Sequence, residues 1–131
     1  MSNRIFKSHG YLRYAITKWW LVVDCNDELG DYYRSLIQKH LGGARKVNRP
    51  KWKYHISVVR NECPPLWNQH LWKQYDGLEI EYQYSNNIQS NGIYFWLPVE
   101  SLRLLKIRQE LGLSKWPFRP LHLTIGNLKC A

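Results

Sequence analysis

The 131-residue sequence predicts a single α+β domain. Three observations point to it. Short β-branched and aromatic runs recur along the chain, two longer stretches repeat apolar residues at helical spacing, and the order strand–helix–strand occurs twice, each time closing on a histidine motif. At about 100–200 residues per domain there is room for one core only. At this size roughly two thirds of the unfolded surface can be buried, so neither a disulfide nor a metal is needed to hold the fold.

Taken in order, residues 1–17 carry Arg4, Lys7 and Arg13 between Phe6, Tyr11 and Tyr14 without a sustained period, which reads as a basic N-terminal arm. KWWLVVD, residues 18–24, is apolar on both faces and predicts a buried strand. Asn26 or Asp27 then caps a helix whose apolar positions Leu29, Tyr33, Leu36, Ile37 and His40 or Leu41 follow three–four spacing, ended by Gly42 and Gly43. WKYHISVVR, residues 52–60, predicts a second strand. Residues 61–74 hold Pro64, Pro65, Trp67, His70 and Trp72 and read as a loop with room for one helical turn. LEIEYQY, residues 78–84, alternates Leu78, Ile80, Tyr82 and Tyr84 against Glu79, Glu81 and Gln83, as a strand wet on one face does. SNNIQSNG is turn chemistry, after which IYFWLPV is expected to return as the other half of a hairpin. Residues 99–111 predict an amphipathic helix with Leu102, Leu105 and Leu111 inward and Gly112 just past its end. LHLTIGN, residues 121–127, closes the chain as a strand.

Composition narrows the function classes. With 44% apolar and 22% charged residues the chain is neither disordered nor fibrous. Lys and Arg outnumber Asp and Glu by 19 to 10, a net charge of +9, which favours polyanions and phosphorylated ligands. Seven Trp, nine Tyr and three Phe serve either to fill a small core or to stack on bases. Cys25, Cys63 and Cys130 are odd in number and far apart, so no disulfide framework is expected and a reducing cytoplasm is the natural setting, the host's if the source is viral. No run approaches the roughly 18 apolar residues of a membrane span, and the opening MSNRIFKSHG lacks the apolar run of a signal peptide.

The chemistry sits in two tetrapeptides, His55-Ile56-Ser57-Val58 and His122-Leu123-Thr124-Ile125. On a strand, alternate side chains share a face, so each motif presents an imidazole beside a hydroxyl while its apolar residues enter the core. Imidazole both takes and gives a proton near neutral pH, and the hydroxyl can hold a phosphate oxygen. A lone strand histidine usually only packs or hydrogen-bonds on its sheet. Two matched ones, in equivalent places of a duplicated element order, point to a shared site. Backward along the first motif, Lys53 and Lys51 are expected to add cations for an anionic ligand. Gly126 would let a phosphate approach the backbone, and Arg119, between Pro117 and Pro120, would clamp one from a rigid mount. Trp52, Trp67, Trp72, Trp96 and Trp116 are candidates to stack on a base, with Trp72 favoured for its place between the halves. His9, His40 and His70 are read as carrying no proton-transfer role. Carboxylates and cysteines at ligand spacing are lacking around the motif histidines, so no metal and no cofactor is expected.

These motifs resemble those of the two-histidine (2H) phosphoesterase superfamily, which includes RNA ligase-like cyclic phosphodiesterases and phage anti-CBASS nucleases that degrade cyclic oligonucleotide signals. The resemblance spans roughly residues 18–127. It implies a bilobal fold, two β-α-β lobes with antiparallel sheets around a central cleft. His55 and His122 would be the catalytic acid and base, and Ser57 and Thr124 the holders of the phosphate oxygens. The first motif has Ser where Thr is commoner, which keeps the donor and drops a methyl group. The expected activity is metal-independent hydrolysis of a cyclic nucleotide or cyclic oligonucleotide, with an RNA 2′,3′-cyclic phosphate as the alternative substrate. The competing class is a non-catalytic RNA-binding module, suggested by charge and aromatic content.

Overall fold

The structure, a computed structural model, describes residues 4–129. Period-two alternation and helical spacing divide them into β1 (Ile5–Tyr14), β2 (Trp20–Asp24), α1 (Asp27–Leu41), β3 (His55–Arg60), a 3-10 helix (Leu66–Leu71), β4 (Glu79–Ser85), β5 (Gln89–Ser90), β6 (Tyr94–Glu100), α2 (Leu102–Glu110) and β7 (His122–Asn127). The strands form one antiparallel sheet in the order β4-β1-β2-β3-β7-β6-β5, and β4 also pairs with β6, closing six strands into a barrel. The α+β class expected from the sequence is therefore present. The sheet does not divide into two separate lobes, because β3 and β7 pair directly and join the halves.

One row of residues shows how the core is made. Leu12 faces Val23, Val23 faces Ile56, Ile56 faces Leu123, and Leu123 faces Leu97, a buried line across five strands. Each contributes apolar area whose removal from water stabilises the fold by roughly 1.5–3 kcal/mol per side chain. Tyr33 and Ile37 of α1 and Leu104, Leu105, Ile107 and Leu111 around α2 pack onto the same core.

Four expectations change. Residues 4–17 are not a basic arm: Ile5–Tyr14 is a strand between β2 and β4, paired at seven positions with β4. Its Gly10, Leu12 and Tyr14 are buried while His9, Tyr11 and Arg13 are exposed, so the basic and aromatic side chains are the wet face of a strand. Residues 1–3 lie outside the described residues. β4 and β6 do not form the expected hairpin; they meet only at Gln83↔Glu100 and Tyr84↔Val99, β5 turns back onto β6, and β4 takes β1 as its main partner. The second helix begins at Leu102 because the Ser101 hydroxyl accepts from the Leu104 N–H, leaving Val99 in β6. Leu102 is consequently 79% exposed, and the buried face runs through Leu104, Ile107, Arg108 and Leu111.

α1 follows its expected course, with the Asn26 side chain accepting from the Glu28 N–H and Gly42 at φ 64° beyond the last turn. Among the described residues no helix is long and apolar enough to cross a membrane.

Candidate active site

β3 and β7 are antiparallel neighbours registered at Ile56↔Leu123. Both of these side chains are fully buried, which turns the residues on either side to the opposite face. Continued by one residue each way, the register sets His55 against Thr124 and Ser57 against His122, so the two imidazoles lie on one diagonal and the two hydroxyls on the other. Diagonal strand positions of this kind are about 7–8 Å apart.

The two imidazoles are held alike. His55 Nδ1 lies 2.6 Å from the Lys53 carbonyl, and His122 Nδ1 lies 2.8 Å from the Pro120 carbonyl. A carbonyl only accepts, so in each ring Nδ1 carries a hydrogen and Nε2 is the nitrogen not engaged by the backbone. Burial pushes His55 below its ordinary pKa, opposed by the Lys53 carbonyl and by Asp24.

The flanking strands repeat the pairing. The β2–β3 register shifts at Leu21/Val22, where Val58 is the extra residue of β3, and the β6–β7 register shifts at Phe95/Trp96, where Ile125 is the extra residue of β7; Val22 faces Ser57 and Trp96 faces Thr124. The bulges thus fall beside the hydroxyl residue of each motif, and a local twofold relation links strand, helix and motif strand in the two halves. Its surroundings are not symmetric. Asp24 faces His55, held by a two-pronged bond from Arg13 at 2.8 and 3.1 Å, whereas Pro98 faces His122.

Tryptophans border both rings. Trp20 stands edge-on to His55 with centroids 5.5 Å apart, and its indole N–H reaches Ser57 Oγ at 3.5 Å. Trp96 lies 6.2 Å from His122. Around Trp20, Lys18 Nζ sits 4.6 Å and the Arg13 guanidinium 5.8 Å from a ring centre, an electropositive rim beside His55.

The structure sets four of the site candidates, His55, Ser57, His122 and Thr124, on one face of two adjacent strands. Lys53 precedes β3 in a bend, not on the strand face; its carbonyl orients His55 and its side chain is exposed. Trp72, the favoured stacking residue, is half-buried: its indole N–H donates to the Ala15 carbonyl at 3.1 Å and its ring meets Tyr14 and Trp19, each at 5.0 Å, so it ties β1 to the loop after β3. Trp20 and Asp24 were not singled out, although two-residue spacing along KWWLVVD sets both on one face. Their partner across the ladder needed the register. His9, His40 and His70 are exposed.

Two depressions flank this face, and neither includes the imidazoles. One, about 310 Å³, is lined by residues 49–54 and Asp27; the other, about 390 Å³, lies by Trp19, Asn61 and Trp72. Among the described residues no three His, Cys, Asp or Glu side chains gather as metal ligands would. In comparisons with protein-family models, curated proteins and solved structures, the chain matches none.

Proposed function

We propose that this chain is a metal-independent phosphodiesterase of the two-histidine type acting on a nucleotide phosphodiester, either in a cyclic nucleotide or cyclic oligonucleotide or at an RNA 2′,3′-cyclic phosphate. The observation that carries the reading is the pair of imidazoles, His55 and His122, on adjacent strands of one sheet face, each with Nδ1 tied to the carbonyl two residues before it. The repeated strand–helix–motif strand arrangement supports membership of the 2H superfamily, with its two units sharing one sheet.

In the reaction, the Nε2 of one neutral histidine takes a proton from water as its oxygen bonds to phosphorus. The bond from phosphorus to the opposite ester oxygen breaks, and the other histidine, protonated at the start, gives its proton to that oxygen. One water is consumed, one P–O bond is exchanged for another, and the two rings end with protonation states swapped, to be reset by solvent. Ser57 and Thr124 donate to the non-bridging oxygens, where charge gathers in the transition state. The +9 net charge draws the anion in.

The test is to incubate the protein with 2′,3′-cyclic nucleotides, cyclic dinucleotides and short RNA, and to resolve the products. Hydrolysis by the wild type that is lost in His55→Ala and His122→Ala supports the reading. Salt-sensitive binding with no product from any of them would establish the RNA-binding alternative instead.

A further inference from the structure

The connector that leads from α1 into β3 forms a depression of about 310 Å³ beside His55, at the lower end of the range for small-ligand sites of about 300–1,000 Å³. Trp52 lines it and is 55% exposed. The Trp52 ring centre lies 6.3 Å from that of Trp20, which in turn lies 5.5 Å from His55, so aromatic surface continues from the catalytic imidazole to the depression. The charges there are unequal in availability. Arg49 is engaged by Asp31 at 3.3 Å and by Asp27 at 4.0 Å. Lys51 and Lys53 pair with no carboxylate among the described residues, and Lys51 Nζ sits 5.4 Å from the Trp52 ring centre.

An exposed indole beside two free ammonium groups offers a stacking face for a base and a place for a phosphate at once. We propose that this depression is a second-nucleotide subsite, in which Trp52 stacks a base and Lys51 and Lys53 hold the phosphate next to the one lying over the imidazoles. The inference rests on the phosphodiesterase reading for the place of the scissile phosphate, and it narrows the substrate to one with at least two nucleotides. A mononucleoside cyclic phosphate seated over His55 and His122 leaves the subsite empty.

The experiment measures binding to the full-length protein of adenosine monophosphate and of a phosphorothioate-linked adenosine dinucleotide bearing a 5′-phosphate. Wild type is expected to hold the dinucleotide at least about tenfold more tightly. Trp52→Ala, and Trp52→Leu as a variant that keeps apolar bulk, should each bring that ratio close to one, Lys51→Ala should lower it, and Trp67→Ala, an exposed tryptophan on the 3-10 helix, should leave it unchanged. A dinucleotide that does not bind, binds no tighter than the monophosphate, or keeps its advantage in both Trp52 variants overturns the subsite. If the Trp52-dependent advantage persists while no substrate is turned over, the catalytic reading falls and the subsite stands; turnover without that advantage gives the reverse.

Discussion

Arg108 of α2 and Glu62, two residues beyond β3, meet in a two-pronged ion pair with both N–O distances 2.7 Å. Arg108 is fully buried, and its guanidinium also donates to the carbonyls of Val58 at 2.8 Å and Ser114 at 2.9 Å. One side chain thus fastens α2, the loop after it and the end of the first motif strand.

Arg108→Ala should destabilise the protein by about 1–3 kcal/mol, since it orphans the buried Val58 carbonyl and removes a partner from the Ser114 carbonyl and the half-buried Glu62 carboxylate. Urea unfolding measures the loss. The bond from Arg108 holds Glu62 below its ordinary pKa of 4.5. Stability from this pair is therefore present above pH 4.5 and is lost as pH falls through the lower folded value.

His55→Ala and His122→Ala should each lower turnover at least about 100-fold, the scale expected of a proton-transfer group. Their side chains lie on the outer face of the sheet, so thermal unfolding should stay close to wild type. Near-normal turnover in either variant would remove the two-histidine mechanism.

Burial lowers His55 from its ordinary pKa of 6.5, so at pH 7 its Nε2 is the free base. With His55 as the base of the proposed mechanism, the acid limb of the kcat/KM profile is expected below pH 6.5. The same shift makes the protonated ring unwelcome in the fold. Between the folded and unfolded values the unfolded chain binds more protons, so stability from the neutral ring is full above pH 6.5 and declines as pH falls below it. Unfolding of His55→Gln between pH 7.5 and 5.5 should show a smaller decline than wild type.

In the proposed mechanism the two imidazoles supply both proton transfers, so excess EDTA should leave hydrolysis unchanged. Loss of activity on chelation, restored by one added divalent ion, would replace this mechanism with a metal-assisted one.

Gly30 lies within α1, where alanine ordinarily stabilises a helix by about 1 kcal/mol. Here a Cβ would fall on the ring of Tyr54. Gly30→Ala should therefore destabilise, which thermal unfolding would show as a lower Tm. Tyr54 immediately precedes His55, so lower turnover is expected with it.

Local pattern was sufficient for several parts of the fold. Strand alternation in residues 78–84, the Asn26 cap and the pairing of each histidine with a hydroxyl two residues on follow from side-chain direction and capping chemistry, which act over a few residues. β1 was obscured because its exposed Lys7, His9, Tyr11 and Arg13 masked the alternation beneath them. The packing of Trp72 is hidden for another reason: a tryptophan in a loop gives no local sign of what its ring touches, and Tyr14, Trp19 and the Ala15 carbonyl come to it from elsewhere in the chain.

The 131 residues by themselves determined an α+β chain and which imidazoles and hydroxyls share a strand face. Only the tertiary structure decided that β3 lies against β7 in the register Ile56↔Leu123, that Asp24 and Trp20 border His55, and that one closed sheet runs through both halves. Pairing between strands about 67 residues apart depends on burying Leu12, Val23, Ile56, Leu123 and Leu97 in one row. That gain belongs to the assembled sheet and to no segment alone.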